Sequence, residues 1–228
     1  MTLPISGLVQ GFGFLVMVFL SYRFLKQGRK EKYTIGLAFG YGFLLFALSR
    51  IFLSIPSLFF LKDHTTWVIF EIIERTFLVA GITLVGYSVY SLIFPKNAKK
   101  ISIVFALISV IIIIGFMIAP PNYYVTESGI LAWKNPPIFA SVLNFLLLMI
   151  ISIPGIIVFS KNAISTDIKK VKIRSLVMAL ALAWATIPAL FDFFIIPFFK
   201  IAPIFSEIGY FVFFFLIFLT TLFGRTSD

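Results

Sequence analysis

Cysteine is absent from the 228 residues and histidine occurs once, at His64. The first absence excludes disulfides, thiolate metal sites and a cysteine nucleophile, and it leaves the redox compartment unreadable. The second excludes a histidine metal centre. Charge is scarce too: 12% of residues are charged, against about 25% in an ordinary soluble domain. There is no Asp-rich magnesium cluster, no His-Glu-x-x-His pair, no Gly-x-Ser-x-Gly elbow and no nucleotide-phosphate loop. Ser and Thr are scattered with no base in reach. These absences argue against an enzyme and imply no cofactor. The start, Met1-Thr2-Leu3-Pro4, lacks the basic residues of a cleaved signal peptide, so the first apolar stretch is expected to be retained.

What is present is oil. The chain is 61% hydrophobic and holds 30 Phe residues, far more than one soluble core can use. Apolar runs of about 20 residues mark helices that cross a bilayer. Seven are predicted, over roughly 5–25, 34–60, 67–94, 101–119, 137–160, 172–198 and 203–223. The fold class expected is therefore all-α, a single integral membrane bundle over residues 1–228. The last break, Phe199–Ile204, is short and mostly apolar; a re-entrant hairpin there would leave six spans and move the C-terminus to the opposite side.

Seven spans place alternate loops on opposite faces. One face collects Arg23, Lys26, Arg29, Lys30, Lys32, Lys96, Lys99, Lys100, Lys161, Lys169, Lys170, Lys172, Arg174 and Arg225. The other has only Lys62, Lys134 and Lys200. Basic loops stay inside, so the N-terminus is expected outside and the C-terminus in the cytoplasm, with the cell membrane as the location. The net charge of +10 is thus topogenic and faces lipid headgroups; it does not point to nucleic acid.

The longest outer loop, about 119–137, alternates Tyr123-Tyr124-Val125-Thr126 with Ile130-Leu131-Ala132-Trp133 around Glu127-Ser128-Gly129, a hairpin pattern. It reads either as a lid over the bundle mouth or as an interfacial aromatic anchor. Gly7-x-x-x-Gly11 with Gly13, and Gly36-x-x-x-Gly40 with Gly42, permit close helix approach. The two patches fall at opposite membrane levels and cannot pair with each other. They serve packing within the chain or a homo-oligomer. Pro154-Gly155 and Pro188 should loosen their helices. Trp184, one turn before Pro188, is either a transmission element or filler.

Six ionisable residues lie within the spans: Arg50, Glu71, Glu74, Arg75, Asp192 and Glu207. Charge at that depth is costly and marks a protein interior or a wet cavity. At about 1.5 Å per residue, all six fall in the outer half. Glu71 and Arg75 have salt-bridge spacing, i and i+4. Four acids against two bases leave two carboxylates to find a cation, a hydrogen bond or a proton. Two readings remain open: a salt-bridge network pinning spans 2, 3, 6 and 7, or an outward-facing pocket for a small ligand, cation or proton. In the final span no interior lysine offers a retinal Schiff base.

The layout resembles the seven-span sensing region found at the N-terminus of many microbial histidine kinases. The likeness rests on the outside N-terminus, the Glu71 and Arg75 pair opening span 3 and the aromatic loop from Tyr123 to Trp133. It rests also on the basic segment Lys169-Lys170-Val171-Lys172-Ile173-Arg174 before the Pro188 span, and on the exit Phe223-Gly224-Arg225. It is diffuse and covers most of the chain. It implies a receptor-like sensor that signals to a cytoplasmic protein. The chain reaches Asp228 without a coiled linker, kinase or cyclase. The expectation is therefore an output domain on another polypeptide, or a truncated or stand-alone module. The alternative function is a small transporter or channel that uses the same charges as a proton or cation relay.

Overall fold

A computed structural model describes residues 5–60, 63–126, 130–196 and 203–222. These residues form seven helices and one hairpin: α1 (Ile5–Lys30), α2 (Thr34–Phe59), α3 (His64–Ile93), α4 (Ala98–Ile118), β1 (Asn122–Val125), β2 (Leu131–Asn135), α5 (Ile138–Ser165), α6 (Lys169–Leu190) and α7 (Ile204–Leu222). Five of the helices, α1, α2, α4, α5 and α6, are long and apolar enough to cross a membrane. The chain is an all-α, multi-pass membrane protein. Helix α3 carries three charged side chains, Glu71, Glu74 and Arg75, and the apolar part of α7 is shorter, Ile204–Thr220. The expected break at Lys200 to Pro203 and the exit at Phe223 to Arg225 lie, apart from Pro203, outside the described residues.

Most consecutive helices pack side by side, and contacts at both ends show that α1 and α2 run antiparallel. Gly7 meets Ser57 and Leu58, while Gly28 meets Gly36 and Leu37 at the other end of the α1–α2 pair. A Cβ on Gly28 would stand 2.9 Å from the Leu37 nitrogen, so this tight hairpin needs glycine there. The turn closes with Lys32 at φ 52 and the Tyr33 amide donating to the Gly28 carbonyl at 2.9 Å. Both glycine patches are thus used inside the chain, at opposite ends of one helix pair. Gly42 packs on Gly81 and Val85 of α3, Gly115 of α4 on Ala140 of α5, and Gly155 of α5 on Leu182 of α6. Helix α7 returns to α1, where Phe12 faces Phe211 at 5.5 Å between ring centres. The helices form a closed ring, with α3 also touching α5.

This ring is apolar on its outer surface as well as in its core. On α4 a single stripe, Phe105, Ser109, Ile112 and Phe116, is buried, while Val104, Leu107, Val110, Ile111 and Met117 are exposed. Buried positions elsewhere hold Gln10, Arg50, Glu71, Glu74, Arg75 and Asn144. An apolar belt that wide on a monomer is a solvent-facing surface only if the solvent is lipid.

The antiparallel hairpin pairs Tyr123 with Trp133 and Val125 with Leu131. It sits at the N-terminal end of α3. The Tyr123 ring lies 4.7 Å from that of Trp67 and 5.4 Å from that of His64. Burial, with the nearby Asp63 charge, holds the Tyr123 hydroxyl above its usual pKa. Asp63 caps α3, accepting from the Thr66 amide at 3.2 Å and the Thr66 hydroxyl at 2.5 Å. These donors stabilise its carboxylate and lower its pKa.

Candidate functional site

A partly open cavity of about 120 Å³ lies at the centre of the ring, and every helix except α4 contributes to its wall. Its polar lining is Arg50 from α2, Glu74 and Arg75 from α3, Asn144 from α5, Asp192 after α6 and Tyr210 from α7. The rest is apolar, with Leu53, Leu78, Ile82, Leu148 and Phe213 among the wall residues.

The α1–α3 side of the wall is held by ion pairs. The Arg50 guanidinium donates from Nη2 to Glu74 Oε1 at 2.5 Å, from Nη1 to Gln10 Oε1 at 3.0 Å and from Nε to the Ser49 hydroxyl at 3.1 Å. Arg75 Nε stands between two carboxylates, 2.6 Å from Glu71 Oε1 and 3.2 Å from Glu74 Oε2. Glu74 therefore bridges both arginines, and it is only 1% exposed. The Arg75 guanidinium packs 4.9 Å from the centre of the Phe116 ring, which brings α4 to the cluster from behind. Two positive and two negative groups close into a neutral set, which is how buried charge becomes tolerable.

The α6–α7 side is built differently. Pro188 cannot donate a backbone hydrogen bond, and the helix beyond it widens into a π-turn, Phe191–Ile195, in which the Ile196 amide donates to the Phe191 carbonyl. Such bulges re-aim side chains and recur at functional sites. Asp192 lies in this bulge. It accepts from the Tyr210 hydroxyl at 2.8 Å. Trp184 Nε1 donates to the Gly209 carbonyl at 3.1 Å, and Pro188 packs against the same glycine. Trp184 and Pro188 thus tie α6 to α7 beside Ala185 and Ala189, which line the cavity. The two halves face each other where Arg50 stands 5.9 Å from the centre of the Tyr210 ring.

Of the six ionisable residues singled out from the sequence, four line the cavity: Arg50, Glu74, Arg75 and Asp192. Glu71 does not; it sits behind Arg75 as its partner. Glu207 turns toward α1 instead and accepts from the Ser6 hydroxyl. Gln10, Asn144 and Tyr210 belong to the site and carry no formal charge. Asn144 is 3% exposed and its side-chain carbonyl oxygen has no hydrogen-bond partner.

The site and fold define a class, a multi-pass α-helical membrane protein with a charged hollow at its centre. Comparison with protein-family models, with curated proteins and with solved structures finds no match.

Proposed function

We propose that this chain is a membrane sensor of seven spans. Its N-terminus lies outside and its C-terminus in the cytoplasm of the cell membrane. A small ligand, cation or proton occupies the central cavity and moves α6 and α7, altering the basic cytoplasmic face that a signalling partner reads. The observation that carries this reading is the cavity's construction. One wall is an interlocked ion-pair set on α2 and α3, and the facing wall is a bulged helix end whose Asp192 is held by the Tyr210 hydroxyl at 2.8 Å. An occupant between a stiff wall and a loose one displaces the loose one. The resemblance to kinase-linked seven-span sensing regions agrees with it.

A transporter needs polar lining that continues to the other face. Toward that face two of the four polar groups, Ser88, Tyr87, Tyr90 and Tyr41, are engaged within the bundle and a third faces outward. The Ser88 hydroxyl donates to the Leu84 carbonyl at 3.0 Å, the Tyr90 hydroxyl to the Ile150 carbonyl at 3.1 Å, and Tyr41 is exposed on the outer surface of the bundle. That favours sensing over transport. The test is made in nanodiscs with spin labels at Lys32→Cys and Lys172→Cys, in the parent chain and in Ala189→Trp, whose indole fills the cavity. A change in the distance between labels, with no proton or cation flux in proteoliposomes, supports the proposal. Flux that disappears in Glu74→Gln, or an unmoved distance in Ala189→Trp, rejects it.

A further inference from the structure

The polar atoms of the cavity are not evenly matched, and the imbalance names a ligand class. All three Arg50 nitrogens already have acceptors: Ser49, Gln10 and Glu74. Arg75 Nε is shared between Glu71 and Glu74. An anion entering the cavity would compete with carboxylates already in place. On the facing wall the situation is reversed. Asp192 takes its hydrogen bond from a neutral hydroxyl, that of Tyr210, and makes no ion pair among those of the described residues. Asn144, which also lines the cavity, has a side-chain carbonyl oxygen without a hydrogen-bond partner. An unpaired acceptor at 3% exposure carries a desolvation cost of the size of a lost hydrogen bond. Both groups ask for a donor, and Asp192 asks for a positive one.

The apolar lining decides between kinds of cation. A bare metal ion wants about six oxygens, and among the described residues no three His, Cys, Asp or Glu side chains are grouped to hold one. Leu53, Leu78, Leu148 and the rings of Phe213 and Tyr210 suit a cation with a hydrocarbon body, since aromatic faces attract ammonium groups. Size follows from volume. A cavity of about 150 Å³ takes a benzene, so one of about 120 Å³ takes on the order of five heavy atoms.

We propose that the cavity binds a small organic monocation, a primary or secondary ammonium with a compact apolar body, with Asp192 as counter-ion and the Asn144 carbonyl as second acceptor. The inference rests on the sensor reading for its site and deepens it by naming the ligand. The body lies against Leu148 and Phe213, away from the Arg50 and Glu74 pair.

The experiment uses the full chain in nanodiscs and four probes: n-butylammonium, butyrate and n-butanol, which are close in size, and sodium as a bare cation. Binding is read by calorimetry and by the shift in Tm. Expected is saturable binding of n-butylammonium, at least about tenfold tighter than any other probe, the margin a charge-assisted hydrogen bond supplies. Asp192→Asn should remove that margin, and Asn144→Leu should weaken binding several-fold. If Asp192→Asn does not fold, Leu148→Trp, which fills the cavity from α5, should abolish binding. Equal affinity for butyrate or n-butanol, no binding of n-butylammonium, or unchanged affinity in both Asn144→Leu and Leu148→Trp overturns the proposal. The sensor reading fails separately. An ammonium that binds without moving the Lys32→Cys and Lys172→Cys labels defeats signalling and leaves this inference intact; butyrate that binds and moves them does the reverse.

Discussion

Removing Glu74 alone should be among the most damaging changes in the chain, and removing it together with Arg50 should be milder than the parts suggest. Glu74 contacts Arg50 at 2.5 Å and Arg75 at 3.2 Å. Glu74→Met leaves two buried guanidiniums against one carboxylate, Glu71. Breaking a buried pair by deleting one partner costs about 3–5 kcal/mol, because the other charge is left uncompensated. Arg50→Met costs a similar amount for the same reason. In the double variant the residual set is Arg75 with Glu71, 2.6 Å apart and neutral. Apolar replacement of a whole buried pair is often near neutral, so the double variant should lose less than either single variant, with a coupling energy of at least about 2 kcal/mol. The assay is reversible unfolding in bicelles for the four members of the cycle. Single variants that each lose under about 1 kcal/mol, or losses that add, would refute the reasoning; the cluster would then be hydrated and loosely coupled.

Three further outcomes are expected. The cysteine-free chain makes single-cysteine labelling clean: Lys32→Cys, Lys99→Cys and Lys161→Cys should react from the cytoplasmic side of right-side-out vesicles only after permeabilisation, while His64→Cys and Asn122→Cys react at once. Reaction of Lys99→Cys before permeabilisation would overturn the orientation. Gly13→Ala should destabilise by about 1–3 kcal/mol in the same unfolding assay, because an added Cβ would clash with the edge of the Phe214 ring; Gly11→Ala, where the nearest atom is the Ser54 hydroxyl at 3.3 Å, should be milder. Asp63 has its pKa lowered by Thr66, so its cap is fully present above the ordinary aspartate pKa and is lost as pH falls through the lower folded value. The protection factor of the Thr66 amide, its exchange rate corrected for intrinsic pH dependence, should fall across that window, and the step should be lost in Asp63→Asn.

The helices were legible because hydrophobic runs and charged breaks are properties of the chain alone. The breaks at Lys26 to Lys32 and Pro95 to Lys100 each contain an observed turn, at 31–32 and 95–97, although α1 runs on to Lys30 and α4 begins at Ala98. The site was legible only where it cost something. Arg50, Glu74, Arg75 and Asp192 stand out because a charge in an apolar run has no cheap explanation. Gln10, Asn144 and Tyr210 gave no such signal, since neutral polar residues occur on any face of a spanning helix. Sequence position fixes depth, at about 1.5 Å per residue, but not rotation about the helix axis. That is why Glu207 shares the level of the cavity yet turns to Ser6, and why Glu71 lies behind Arg75. The π-turn at Phe191–Ile195 was illegible as well. Pro188 announced a disturbance but not that one added residue would swing Asp192 inward.

The central claim is that the charged cluster encloses a hollow and is not a sealed salt bridge. Ala189 lines the cavity, whereas Ala181 on the same helix is fully buried away from it. With 2-aminoethyl methanethiosulfonate added from the aqueous phase, Ala189→Cys should be modified at least about tenfold faster than Ala181→Cys, a gap that reflects water access to the thiolate. Equal rates, or an unreactive Ala189→Cys, would contradict the account.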